Sequence, residues 1–153
     1  MKLRVTQPAW LGMFSGLALL AASMGAAQEA AAPEQLRMMG QCSGCVIEDL
    51  DLSGSRLTGI NLKESTIRNV DFSNAALGIA IFDFATLENV NFSSANLTGA
   101  SFSEARLINV TFDNANLKAA VFEDAILEGT DLAAGITCNT QVADESTDST
   151  ECN

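Results

Sequence analysis

Residues 95–119 read ANLTG ASFSE ARLIN VTFDN ANLKA, and the third residue of every group of five is leucine or phenylalanine. The first residue of each group is alanine or valine, and charged residues occur only at the other three positions. Such regularity is a strong structural signal, because composition alone does not keep charges away from two positions in five. The third-position series runs without a gap through Ile47, Leu52, Leu57, Leu62, Ile67, Phe72, Leu77, Phe82, Leu87, Phe92, Leu97, Phe102, Leu107, Phe112, Leu117, Phe122, Leu127 and Leu132.

A strict period of five fits neither the 3.6-residue period of an α-helix nor the two-residue period of a strand. Each group must therefore end in a turn, so the chain winds into a coil with short sides. Valine recurs every twenty residues at Val70, Val90 and Val110, which predicts four groups per coil. Phenylalanine alternates with leucine in the series, which predicts aromatic rings on two opposite walls. Five glycines share the fifth position at an outward corner, where we expect them to adopt positive φ: Gly44, Gly54, Gly59, Gly99 and Gly129.

These groups resemble the pentapeptide-repeat family, whose motif is A(D/N)Lxx; residues 95–99 (ANLTG) and 115–119 (ANLKA) are close copies. The resemblance implies an all-β fold, a right-handed quadrilateral parallel β-helix. At four groups per coil, the repeats make about 4.5 coils, stacked about 4.8 Å apart. We expect a linker and cap over residues 28–43, the β-helix over residues 44–132, and a C-terminal cap or tail over residues 133–153.

Composition restricts the function more than it defines it. The 153 residues include no histidine, which removes the commonest general base and metal ligand. The formal net charge of -11 disfavours binding to nucleic acid or to an anionic membrane. We therefore expect no enzyme, no cofactor, no metal site and no nucleic-acid partner.

The N-terminus has the layout of a signal peptide. Lys2 and Arg4 precede an uncharged apolar stretch over residues 10–27, and the chain turns acidic at Glu29. We expect cleavage after Ala27 and a periplasmic or secreted protein of net charge -13, with no membrane contact beyond the signal peptide. The alternative is an uncleaved membrane anchor, because 18 apolar residues approach the length of a spanning helix.

The ends of a β-helix need caps, because an open coil exposes unpaired backbone groups. Residues 33–40 (PEQLRMMG) place proline early and glycine late around apolar residues, which predicts a short helix that covers the first coil. The regular series ends at Leu132, and the polar segment that follows is expected to close the last coil.

The chain has four cysteines, an even number suited to disulfides in an exported protein. Cys42 and Cys45 occupy inward positions in the repeat register, which favours a structural pair over a catalytic dithiol. Cys138-Asn139-Thr140 and the later Cys152 are similar to the C-terminal segment of many pentapeptide-repeat proteins, which implies a second disulfide. We expect Cys42 to pair with Cys45 and Cys138 with Cys152, since proximity in sequence favours local pairing.

Two polar rows invite a binding interpretation. Asn69, Asn89 and Asn109 recur every twenty residues, and such stacked asparagines either form a ligand row or bond to each other. Asp51 and Asp71 begin an acidic wall, yet no loop gathers the several oxygen ligands that calcium requires. We expect an asparagine ladder and a solvated acidic wall.

Apolar residues at outward positions mark the candidate interaction patch: Ile79, Ile81, Phe84 and Val121. In a four-sided coil, Ile79 ends one wall, Ile81 and Phe84 begin and end the next, and Val121 lies two coils above Ile81. A contiguous apolar group with an acidic rim is typical of a protein contact site. The alternative is that the C-terminal segment covers Val121 or that Phe84 lies flat over a corner.

These observations predict a noncatalytic exported scaffold that presents a wall of its β-helix to a protein partner or to itself. One alternative is an extracytoplasmic thiol redox protein that uses Cys42 and Cys45. Another comes from the resemblance: some acidic pentapeptide-repeat proteins mimic DNA and protect DNA gyrase, a role that export from the cytoplasm disfavours.

Overall fold

The computed structural model describes residue 36, residues 40–143, residues 147–148 and residue 152. Within these residues the chain forms seven short strands. In chain order they are β1 (Val46–Glu48), β2 (Thr66–Arg68), β3 (Thr86–Glu88), β4 (Arg106–Ile108), β5 (Ile126–Glu128), β6 (Thr140–Gln141) and β7 (Thr147–Asp148).

The first five strands form one parallel sheet in the order β1-β2-β3-β4-β5, and each strand pairs with the strand twenty residues later. The other three sides of the coil pair in the same way: Asp51 lies opposite Asp71, and Arg56 opposite Ala76. The predicted parallel β-helix with four groups per coil is therefore confirmed, and it makes about four turns.

Four walls follow from this register, and each recurs every twenty residues. Wall A is residues 45–49 and their equivalents, and it carries β1 to β5. In the first coil, wall B is formed by residues 50–54, wall C by residues 55–59 and wall D by residues 60–64, and each wall continues with the residues twenty positions later. Walls A and C are opposite each other, as are walls B and D.

The third-position residues fill the interior of the coil. Their side chains are buried except that of Leu127, which is half-buried, and the phenylalanine rings stack parallel along the axis at centroid distances of 4.8–5.4 Å. Rings on opposite walls meet edge to face at 5.7–6.5 Å. Both arrangements are favourable for aromatic quadrupoles, so the predicted aromatic columns are confirmed. The two columns are Phe72, Phe92 and Phe112 on wall B, and Phe82, Phe102 and Phe122 on wall D.

A few buried first positions carry a hydroxyl in place of alanine or valine. Ser65 Oγ donates to the carbonyl of Cys42 at 2.8 Å, and Thr140 Oγ1 donates to the carbonyl of Leu117 at 2.7 Å. Because each hydroxyl finds a backbone acceptor, its burial leaves no polar group unpaired.

Every fifth position from residue 44 to residue 129 has a left-handed backbone. The five glycines expected there have φ of 58° to 72°, as predicted. Positive φ also extends to the other residues in this series, with φ of 51° to 61°, which the repeat pattern did not indicate. Asparagine and aspartate tolerate this conformation, but Ile79 (φ 52°) and Phe84 (φ 59°) belong to the residue types that rarely adopt it.

The ends of the coil extend beyond the regular repeats. Leu36 is buried and packs with the core, and Gly40 accepts a hydrogen bond from the Asn61 amide at 3.0 Å, whereas the other residues of the predicted cap helix lie outside the described residues. Past Leu132, Ile136 still pairs with Asn116, and Gln141 pairs with Val121. Strands β6 and β7 then form an antiparallel pair. The described residues contain no helix long and apolar enough to cross a membrane.

Candidate interaction surface

The described part of the chain offers surfaces rather than cavities. It contains no pocket, and no three of its cysteine or acidic side chains group as metal ligands would. A candidate site must therefore be sought on the outward positions of the four walls and on their corners.

The structure supports both predicted cysteine pairs. Cys42 and Cys45 are joined with their Cα atoms 5.4 Å apart, and both residues are half-buried in the first coil. Cys138 and Cys152 are joined with their Cα atoms 4.8 Å apart, and they link the last coil to the C-terminus. Each pair ties down one end of the β-helix.

The predicted apolar patch divides into two kinds of residue. Ile79 is 64% exposed at the corner between walls C and D, and Phe84 is 46% exposed at the corner between walls D and A. Ile81 and Val121 are half-buried on wall D, where Ser101 lies between them and pairs with both. Within the predicted patch, the exposed apolar surface therefore lies mainly at the two corners that border wall D.

Ile79 lies between two glycines of the same corner. A Cβ built on Gly59 would lie 3.8 Å from its Cδ1, and one built on Gly99 would lie 3.4 Å from its Cγ2. The isoleucine side chain thus spreads over the bare backbone of the coils on either side. It remains the most exposed of the large hydrophobic side chains described.

Phe84 has a charged neighbour. Lys63 Nζ lies 5.0 Å from the centroid of the Phe84 ring, within the range of a cation–π contact. Asp83, next to Phe84 on the same wall, accepts hydrogen bonds from the Ser101 hydroxyl and from the Ser103 backbone amide. Part of the predicted acidic rim is therefore already engaged within the chain.

Two further exposed apolar residues were not predicted from the sequence. Ile126 is 52% exposed on β5, and Ile136 is 42% exposed on wall C of the last coil. Ile126 directly precedes a third-position leucine, as Ile81 precedes Phe82, so the criterion that singled out Ile81 applies to it equally. Ile136 lies beyond the last regular repeat, where the apolar period gives no signal.

The predicted asparagine ladder is present at the corner between walls A and B. Asn69 Nδ2 donates to Asp49 Oδ1 at 2.9 Å, Asn89 Nδ2 to Asn69 Oδ1 at 3.2 Å, and Asn109 Nδ2 to Asn89 Oδ1 at 3.3 Å. These side chains bond to one another, so the row supports the stack of coils rather than a ligand.

Wall A carries ion pairs between successive coils. Arg68 donates to Glu48 at 2.7 Å and contacts Glu88 at 3.3 Å, and Arg106 donates to Glu128 at 2.6 Å. The hydrogen bond to Glu48 raises the pKa of Arg68 further above its ordinary range. These pairs are exposed to solvent, so each contributes little to stability.

Comparison with known proteins places these features in a family. The family model for pentapeptide repeats, described as nine copies, matches residues 52–96 and 85–136. The chain belongs to the pentapeptide-repeat family. No curated protein matches this pentapeptide-repeat protein.

Solved structures of other pentapeptide-repeat proteins resemble this one. HetL of Nostoc sp. strain PCC 7120, a protein involved in heterocyst differentiation regulation, is 26% identical with a TM-score of 0.67. The match covers 71% of this chain and 51% of HetL, so this pentapeptide-repeat protein spans about half the length of HetL.

Two further structures match less well. Rfr23 of Cyanothece 51142 is 24% identical with a TM-score of 0.37, over 70% of this chain and 94% of Rfr23. A pentapeptide-repeat protein of the Arabidopsis thaliana thylakoid lumen is 31% identical with a TM-score of 0.36, over 60% of this chain and 64% of the plant protein.

Proposed function

We propose that this pentapeptide-repeat protein is an exported, noncatalytic scaffold that binds another protein through the apolar corners bordering wall D. The observation that carries the proposal is Ile79, a β-branched residue held at φ 52° with 64% of its surface exposed. At the same position in other repeats the chain uses mainly glycine, asparagine or aspartate, which adopt this conformation at lower cost.

Backbone strain supports a functional interpretation of this residue. A non-glycine residue in the left-handed region costs about 1–3 kcal/mol, and such residues concentrate at binding and catalytic sites. The exposed isoleucine buries little of its own surface in return. Phe84 repeats the combination of positive φ and exposure at the next corner, on the other side of wall D. Contact with a partner would bury both side chains and offset the cost.

Charge and chemistry favour binding over catalysis. The sequence has no histidine, and the two cysteines nearest to a redox motif, Cys42 and Cys45, are half-buried and joined to each other. Members of the family are generally structural or interaction proteins. Export rests on the signal-peptide layout of residues 1–27, which lie outside the described residues. Release of mature protein that begins at Gln28 into the periplasm or medium tests it.

Partner capture with matched variants tests the scaffold role. Mature wild-type protein, an Ile79→Asn/Phe84→Asn variant and an Ala119→Asn control are immobilised at equal density and exposed to periplasmic extract. Ala119 is a left-handed residue in the Ile79 column, two coils away. We expect at least one protein to be recovered by the wild type and the control and to be lost with the double variant. Equal recovery on all three surfaces would show that these corners do not bind it.

A further inference from the structure

Wall C differs from the rest of this acidic protein because it has no acidic residue. The aspartates and glutamates of residues 40–143 all lie on walls A, B and D or in their corners, and none falls in residues 55–59, 75–79, 95–99, 115–119 or 135–139. A net charge of -11 over the chain makes this absence a marked local feature. Wall C is the one side where another acidic surface can approach without direct carboxylate repulsion.

The basic residues of wall C are also distinctive. Lys63, Arg68 and Arg106, on walls A and D, each form an ion pair with an acidic residue of the same chain. Arg56 and Lys118, on wall C, form no ion pair with any described residue. Within the described part of the chain, neither positive charge is neutralised by a neighbouring carboxylate.

The middle of wall C is low because its outward side chains there are small. In the second and third coils these positions hold Ala76, Gly78, Asn96 and Thr98. Asn96 Oδ1 accepts bonds from the Thr98 amide and hydroxyl, at 3.1 and 2.7 Å, which keeps both side chains close to the backbone. Arg56 and Lys118 flank this low central area on the first and fourth coils, so a flat acidic surface can rest between them.

The adjacent wall B has the complementary properties. Its outward positions include Asp51, Asp71, Asp113 and Asp131 and no basic residue. Asp51, Asp71 and Asp131 each accept a backbone amide two residues later at 2.8–2.9 Å, so these carboxylates lie against the wall. The hydrogen bonds from Ser53 lower the pKa of Asp51, which keeps it ionised. Wall B is flat and negative where wall C is flat and positive.

We propose that wall C of one copy docks on wall B of a second copy of this chain. The pairing is heterologous, since two different surfaces meet. Walls B and C are neighbours on a four-sided coil and face outward at right angles. With the coil axes parallel, repetition of the contact closes a ring of four copies. Their shared corner, which would lie nearest the ring centre, carries only small side chains: Gly54, Asn74, Ser94 and Asn114.

This inference is independent of the proposed function. Walls A and D face outward in the ring, so Phe84 stays accessible and Ile79 lies at the outer edge of the contact. A wild type that captures a partner but does not assemble would refute the inference alone. A wild type that assembles but captures no partner would refute the proposed function alone.

A charge exchange between the two walls tests the contact. The first variant is Arg56→Glu/Lys118→Glu, which makes wall C acidic. The second is Asp51→Lys/Asp71→Lys/Asp131→Lys, which leaves Asp113 as the one carboxylate of wall B and makes that wall basic. In each variant alone, walls B and C carry charge of the same sign and repel each other. In an equimolar mixture, the acidic wall C of the first variant can meet the basic wall B of the second, and the unchanged walls of the two variants remain complementary. Lys63→Glu on wall D is the control, because it changes the net charge in the same direction as the first variant without touching either wall.

Sedimentation velocity of the mature protein at low and high salt gives the readout. We expect the wild type and the control to form tetramers at low salt and to dissociate as salt rises. Each variant alone should bind at least about tenfold more weakly, and the mixture should recover assembly. Circular dichroism verifies the folding of each variant, and Arg56→Gln/Lys118→Gln replaces the first variant if that one fails to fold. A monomeric wild type at low salt, or assembly that ignores the charge exchange, would overturn the proposal.

Discussion

Gly129 lies directly above Asn109 at the end of the asparagine ladder, and a Cβ on Gly129 would lie 2.6 Å from Asn109 Oδ1. That distance is shorter than real Cβ atoms tolerate. The φ of 58° favours glycine at this position, and any larger residue also requires the Asn109 amide to turn aside.

Gly129→Ala should destabilise the protein by about 1–2 kcal/mol, because the cost of a left-handed alanine is joined by a small cost for turning the Asn109 amide away. Gly54→Ala is the matched control, since Gly54 has a similar φ of 62° and nothing within 4 Å of a Cβ. Its expected cost is about 1 kcal/mol. Urea unfolding of both variants measures the difference, and equal midpoints would contradict the clash.

Phe92→Ala should be among the most destabilising single substitutions. Phe92 is fully buried and stacks between Phe72 at 5.2 Å and Phe112 at 5.4 Å. Removal of such a ring leaves a cavity and costs about 3–5 kcal/mol. Phe84→Ala removes the same group from an exposed corner, so its cost should be within about 0.5 kcal/mol of zero. Thermal unfolding distinguishes the two, and a large loss with Phe84→Ala would mean that this ring packs into the fold.

Ile79→Asn should raise stability by about 1 kcal/mol, because asparagine tolerates the left-handed conformation better than a β-branched residue. The gain is reduced because the shorter asparagine covers less of Gly59 and Gly99 than the isoleucine does. Ile126→Asn makes the same chemical change at an exposed strand position without positive φ, where it should lower stability. If both variants lose stability equally, Ile79 is not strained.

Mature protein from the periplasm should carry two disulfides, so its mass should rise on reduction by four hydrogen atoms, two per bond. Cys138→Ser/Cys152→Ser should cost more stability than Cys42→Ser/Cys45→Ser, because a separation of 14 residues restrains the unfolded chain more than a separation of 3. The longer loop is worth about 3 kcal/mol. Peptide mapping without reductant assigns the pairs, and four free thiols would refute both.

The interior of this protein could be predicted from the sequence because a residue's position within its own group of five decides whether its side chain points inward. Phe92 and Leu97 are apolar at the positions that a four-sided coil must turn inward, and both are fully buried. The twenty-residue recurrence of Val70 and Val90 likewise fixed the number of walls. The asparagine ladder followed, since equal residues twenty apart in such a coil are neighbours.

The surface was less predictable because exposure depends on what lies one coil away. Ser101 separates Ile81 from Val121, and Gly59 and Gly99 make room for Ile79. These neighbours can be located from the twenty-residue period, but how much of each apolar side chain they leave exposed is seen only when the coils are stacked. Ile126 could have been predicted by the criterion that singled out Ile81, whereas Ile136 lies beyond the regular period.

By itself, the sequence determined the family, the four-sided β-helix, the aromatic core and the choice of cysteine partners. The first three depend on a residue's place in the five-residue period, and the cysteine partners depend on proximity in sequence and on the family resemblance. The tertiary structure decided that Ile79 and Phe84 adopt left-handed backbone conformations while exposed, and that Arg56 lies on a wall without carboxylates. Stacking brings residues twenty positions apart side by side on one wall. The exposure and local charge of a side chain therefore depend on the coils above and below it, not on its own repeat alone.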